Sequence, residues 1–176
     1  MAAWGMHDVT IEDQLRELRA RVEATEAVLA IQALKSRYAD LVDRRFARGK
    51  VVDDALLHTL AAEIASTFTP DGVWDGGPAL GVARGREAIA AQMCSSTLVF
   101  SRHFFVKPLI DVAGDTATGR WDILSPCTAR DGRAFWMTGY EDDVYERVDG
   151  RWLHRSMKLT TVFMAPAPDG WGRLFV

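Results

Sequence analysis

The first regularity along the chain is a helical one. From Thr10 onward the apolar residues Ile11, Leu15, Leu18 and Val22 recur every three or four positions, separated by Glu12, Arg16, Glu17 and Arg19, which is the pattern of an amphipathic helix. Thr10 followed by Asp13 suits a helix start, and neither proline nor glycine occurs between Thr10 and Arg48. The pattern therefore predicts helix on through Ile31, Leu34, Tyr38, Val42 and Phe46, with a bend within it, until Arg48-Gly49-Lys50 stops it. A second helix is expected over Val52 to Ser66, with Leu56, Leu60 and Ile64 on one face, ending ahead of Pro70-Asp71-Gly72.

The periodicity then changes. Val73 and Trp74 read as a short strand, Gly76-Gly77-Pro78 as a loop, and Gly85 to Met93 as a short helix. Four long strand-like runs follow, near Leu98 to Val112, Thr116 to Ala129, Ala134 to Arg147 and Arg151 to Met164. Gly114-Asp115, Asp131-Gly132 and Asp149-Gly150 separate them as hairpin turns. Strands of about a dozen residues span on the order of 40 Å, too long to stay flat, so the sheet is expected to coil around the helices. Pro108 and Pro126 mark bulges or edges. The expected fold class is α+β: a cone-shaped roll in which a curved antiparallel sheet packs against N-terminal helices and encloses an apolar pocket. Residues 1–25 are expected to form an amphipathic helical extension, and residues 26–176 the cone domain.

Composition narrows the function classes. The 176 residues are 48% hydrophobic, enough for one sizeable core. A net charge of -3 offers no basic field for a phosphate backbone, so no nucleic-acid partner is expected. No segment resembles a secretion signal or a membrane span, which leaves no membrane partner and a cytoplasmic location as the expectation. Cys94 and Cys127 are too few for a disulfide framework and read as buried or half-buried thiols. No nucleotide loop and no metal-ligand spacing is present, so neither a cofactor nor a metal is expected.

Several segments in this order resemble one family. Leu34-Lys35-Ser36-Arg37-Tyr38 with Asp43, then Phe68-Thr69-Pro70-Asp71-Gly72-Val73-Trp74, are similar to its opening helix, turn and first strand. Arg102-His103 leading into Pro108-Leu109-Ile110 is similar to its histidine strand. Thr116 to Trp121 and Tyr145 to Trp152 look most like its bile-acid 7α-dehydratase branch. The family is the SnoaL-like branch of the nuclear-transport-factor-two-like superfamily, which also includes scytalone dehydratase and polyketide cyclases. The resemblance spans about Glu26 to Met164. It implies a cofactor-independent lyase or isomerase of dehydratase type, acting on a hydrophobic, carbonyl-bearing ring compound such as a steroid, polyketide or aromatic metabolite. The alternative it admits is a non-catalytic ligand-binding or assembly subunit, such as the small subunit of ring-hydroxylating dioxygenases. A homo-oligomer, dimer or trimer, is expected from the resemblance and from the apolar stripe of Ile11, Leu15, Leu18 and Val22.

The resemblance implies His103, Asp43 and Tyr38 as the catalytic set. A neutral imidazole can take a proton beside a carbonyl and return one to a departing hydroxyl. A carboxylate fixes its tautomer, and a phenol donates to an enolate oxygen. On an ideal helix Tyr38 lies near the centre of the stripe of Ile31, Leu34 and Val42, while Asp43 lies at its edge and also reads as a solvated residue; Asp40 is on the polar side. His103, among Phe100, Phe104 and Phe105, needs a hydrogen-bond partner or solvent. Trp121, Trp136, Phe105, Ser125 and Trp74 are the candidate substrate contacts. Alternation puts Trp121, Ile123 and Ser125 on one face of their strand, and Trp136, Thr138, Tyr140 and Asp142 on one face of the next. Arg155 and Lys158 point to opposite faces, so at most one enters the pocket. His7, His58 and His154 are read as surface or structural.

Overall fold

The computed structural model describes residues 10–171. The helix predicted from Thr10 is a single 33-residue element, α1 (Ile11–Asp43), opened by a capping box: the Thr10 hydroxyl accepts from the Asp13 amide at 3.1 Å and the Asp13 carboxylate accepts from the Thr10 amide at 3.3 Å. Its inward positions are Ala27, Ile31, Lys35, Tyr38, Leu41, Val42 and Asp43. Everything from Ile11 to Glu26 is exposed, so the first half of α1 projects from the body.

The helix stops at Asp43, short of the expected Phe46. Arg45 folds back and donates from Nε to the Val42 carbonyl at 3.1 Å, occupying an acceptor that a further turn would need. A two-strand hairpin, β1 (Phe46–Ala47) and β2 (Lys50–Val51), follows, turned by Arg48 and Gly49 at positive φ. The second helix, α2 (Asp54–Ser66), is capped by Asp53 accepting from the Leu56 amide at 2.9 Å. The next elements are β3 (Phe68–Asp75), the short α3 (Gly77–Leu80) where a plain loop was expected, β4 (Val82–Arg84) and α4 (Gly85–Cys94).

The run expected over Leu98 to Val112 is two strands, β5 (Leu98–Ser101) and β6 (Phe104–Ala113), both paired with β7 (Thr116–Ala129). Arg102 and His103 lie in the break. β8 (Ala134–Val148) and β9 (Arg151–Pro166) complete a seven-stranded sheet of order β4-β3-β9-β8-β7, with β5 and β6 sharing the far side of β7. Asp149 and Gly150 both take positive φ in the turn between β8 and β9, the geometry that makes Asp-Gly a hairpin signal. One pairing departs from the expected antiparallel order: β3 runs parallel to β9, which is possible because the two are joined by a long stretch of chain, from α3 through β8, rather than by a hairpin.

Pro108 stands where the β6–β7 register shifts between Val106 and Leu109, beside Lys107 at positive φ. Pro126 keeps its register opposite Trp136, and its carbonyl accepts from the Arg102 amide at 3.2 Å. It therefore faces the β5–β6 break, where a missing N–H costs no ladder bond.

The curled sheet and helices enclose two apolar clusters. One gathers Tyr38, Leu60, Ile64, Phe68, Ile89 and Met157; the other joins Ala27 and Ile31 to Trp121, Tyr145 and Trp152. Among the described residues no helix is long and apolar enough to cross a membrane.

Candidate active site

Asp43 is the last residue of α1 and is only 7% exposed. An acid in the last turn works against the helix dipole, so its charge must be held by other partners. His103 supplies them. Its backbone amide donates to both Asp43 oxygens at 3.1 Å, and its ring Nδ1 lies 2.6 Å from Oδ1. The Arg102 guanidinium approaches Oδ2 at 3.5 Å. A carboxylate at Nδ1 fixes the proton there and leaves Nε2 with its lone pair. The break between β5 and β6 makes this possible, since a residue within a regular ladder would have its amide committed to the neighbouring strand. The ring stacks on Phe105, with centroids 6.0 Å apart and planes at 23°.

His103 lines a cavity of about 240 Å³, which Tyr38, Arg45, Trp74, Ser101 and Glu141 also line. The Tyr38 hydroxyl accepts from Trp74 Nε1 at 2.9 Å, so its own hydrogen remains to be donated. Burial, reinforced by the nearby Glu141 charge, holds the phenol well above its ordinary pKa. It is therefore a neutral donor at working pH. The Ser101 hydroxyl is buried without a partner. Arg45, also buried, donates from Nη1 to the Met93 carbonyl at 2.7 Å in addition to its bond to Val42. Three of its five N–H donors thus have no acceptor among the described residues.

Glu141 belongs to a buried ion cluster absent from the sequence-based candidates. Lys35, 1% exposed, donates to Glu141 and, at 2.6 Å, to Asp143. Burial opposes the lysine's charge, but the two carboxylates outweigh it and hold its pKa above the ordinary value. Burial pushes the Glu141 carboxyl up against the pull of Lys35, as expected where two acids share one cation. Tyr145 donates to Asp143 at 2.7 Å and accepts from Trp121 Nε1 at 2.9 Å. A signal existed: Lys35 falls on the apolar stripe between Ile31 and Tyr38, and Glu141 and Asp143 share a strand face.

The substrate-contact candidates divide. Trp74 lines the cavity. Trp121 lies in the second apolar cluster, tied to Tyr145. Ser125 is fully buried on the inner face of β7, its hydroxyl 3.4 Å from Cys127 Sγ. Phe105 supports the His103 ring from behind rather than lining the cavity. Trp136 points outward, 38% exposed, against Trp171 at 5.0 Å between centroids. Neither candidate cation of β9 enters: Arg155 pairs with Asp71, and Lys158 is exposed. His58 is exposed, His154 is fully buried with Nδ1 3.2 Å from the Thr67 carbonyl, and His7 lies outside the described residues. No cluster of three metal-ligating side chains occurs among the described residues.

Residues 23–158, which include both Asp43 and His103, match the model of the SnoaL-like domain. The chain belongs to the SnoaL-like domain family. Solved members of the fold superpose over most of its length. A hexachlorocyclohexane dehydrochlorinase, LinA type 2, has a TM-score of 0.73 at 18% identity, covering 89% of this chain and 99% of that one. The type 3 enzyme from Novosphingobium barchaimii LL02 gives 0.69 at 20%, covering 89% and 98%. A putative scytalone dehydratase from Novosphingobium aromaticivorans DSM 12444 gives 0.65 at 21%, covering 85% and 96%. No curated protein sequence matches the chain.

Proposed function

We propose that this SnoaL-like protein is a cofactor-independent lyase or isomerase of dehydratase type, with the cavity at His103 as its active site. The observation that carries the reading is the Asp43–His103 pair facing a cavity that also presents the Tyr38 hydroxyl. His103 Nε2 takes a proton from carbon beside the substrate carbonyl. The electron pair moves onto the carbonyl oxygen as an enolate, which the Tyr38 O–H stabilises by a hydrogen bond. The imidazolium, held by Asp43, returns its proton to the departing hydroxyl as the enolate collapses, giving water and an unsaturated ketone. Returning the proton to a second carbon instead gives isomerisation. Fold neighbours named as a dehydrochlorinase and a putative scytalone dehydratase support elimination chemistry.

The cavity bounds the ligand. About 240 Å³ lies below the ~300–1,000 Å³ of pockets that hold drug-sized molecules, which favours a compact one- or two-ring carbonyl compound over a four-ring steroid. Ser101 Oγ and the free N–H groups of Arg45 supply further contacts for its oxygens.

The test is turnover of cyclic β-hydroxy ketones, followed by ultraviolet absorbance of the enone and by exchange of α-hydrogens in heavy water. His103→Ala and Asp43→Asn are each expected to lower the rate by about 10²–10⁴-fold, with unchanged circular dichroism. Unchanged turnover in both variants removes the assignment. A non-catalytic assembly role is the second reading, favoured by the apolar side chains exposed on the sheet, Phe104, Leu109, Leu124, Val162 and Phe163.

A further inference from the structure

The projecting half of α1 carries a second stripe that the fold leaves uncovered. Ile11, Leu15, Leu18, Val22 and Leu29 are between 47 and 74% exposed. With Thr25 they follow a strict four-three alternation, so Leu15, Val22 and Leu29 take the a positions of a heptad, and Ile11, Leu18 and Thr25 the d positions. At about 100° per residue this seam is centred about 180° from the face of Ala27, Ile31, Lys35 and Tyr38 that packs on the sheet. A second helix can therefore lie along the whole seam, about 28 Å long at the usual rise, without meeting this chain's own body. A lone helical stretch of this length is marginal in water unless its apolar face is packed.

We propose that the seam is the docking surface for a second copy of the chain, forming a parallel two-stranded coiled coil through Ile11 to Leu29. The flanking charges choose the orientation. Positions e are Glu12, Arg19 and Glu26, and positions g are Gln14, Arg21 and Val28. In the parallel arrangement Arg21 of each chain faces Glu26 of the other, twice across the seam, and Gln14 faces Arg19. In the antiparallel register that overlaps the full seam, Arg19 meets Arg19, Arg21 meets Arg21, and Glu12 meets Glu26, all like-charged. Among the described residues none of Glu12, Arg19, Arg21 or Glu26 has an ion pair within its own chain, so each is available to a partner.

Light scattering coupled to size exclusion tests the proposal. The wild-type chain is expected at twice the chain mass, the variant Leu18→Glu/Val22→Glu at the single mass, and Ala20→Glu, on the opposite side of the helix, at twice the mass. Circular dichroism and thermal unfolding of the body separate lost association from lost folding. Leu18→Cys alone is expected to cross-link under mild oxidation, where the wild type, with Cys94 half-buried and Cys127 buried, does not. A monomeric or trimeric wild type overturns the proposal, as does a dimer insensitive to Leu18→Glu/Val22→Glu. Cross-linking that appears only when Leu18→Cys and Val22→Cys chains are mixed overturns the parallel orientation.

Discussion

Replacing Lys35 with methionine keeps the volume and the aliphatic stem but removes the one cation held between Glu141 and Asp143. The ammonium is 1% exposed, bonded to both acids and 4.3 Å from the centre of the Phe105 ring. Without it two carboxylates stand one alternation apart on the inner face of β8, and among the described residues the one side-chain donor left to them is the Tyr145 hydroxyl, 2.7 Å from Asp143. Breaking a buried ion pair from one side costs about 3–5 kcal/mol, a large share of the ~5–15 kcal/mol that holds a domain together. With a urea slope of about 2 kcal/mol per molar, the unfolding midpoint should fall by about 2 M. The pH response carries the diagnosis. Burial already pushes the Glu141 carboxyl up against the pull of Lys35; with that pull removed its folded-state pKa lies above the unfolded one, so the folded state binds more protons. Its stability should therefore recover as pH falls from neutral toward the ordinary carboxylate range. Lys35→Met/Glu141→Gln/Asp143→Asn should recover most of the loss at pH 7. A loss under about 1 kcal/mol, or one that neither acid nor the triple variant relieves, would refute the charge argument.

His154 is expected to make the wild-type chain acid-sensitive. Burial pushes its pKa down from 6.5 to about 4, and its Nε2 has no partner. The unfolded state then binds more protons between those values, so the His154 contribution is intact above pH 6.5. It is lost by about 3 kcal/mol in all as pH falls to about 4. Chemical denaturation across that range should show a shallower slope for His154→Gln than for the wild type; equal slopes would assign the sensitivity elsewhere. Gly139 sits at the β8–β9 register shift, where an added Cβ would overlap the Thr160 carbonyl oxygen. Gly139→Ala is expected to cost about 1–3 kcal/mol, read as a lowered melting temperature with unchanged self-association.

Much of the architecture is written in short-range features of the chain. The four-three spacing after Thr10, the Asp-Gly turns and the alternation along β7 each act over a few residues, and the strands meet close to where the pattern places them. The end of α1 was not legible in that way, because its stop depends on Arg45 turning back onto Val42 and reaching the Met93 carbonyl, a group 48 positions away. The sequence likewise showed a tryptophan, a threonine and a tyrosine on one face of β8 and could not say which face looked inward. That face, with Trp136 and Tyr140, is turned outward, and the acidic one is buried, because Lys35 on the opposing helix neutralises it.

By itself, then, the sequence determined the elements, their order and the residue types available for proton transfer, since propensity and periodicity are local energies summed along the chain. Only the tertiary structure decided that the carboxylate ending α1 meets the imidazole in a strand break 60 residues later, and that a lysine is buried between two acids. Those contacts join distant segments, and the desolvation and Coulomb energies that select them exist only once the sheet has closed over the helix.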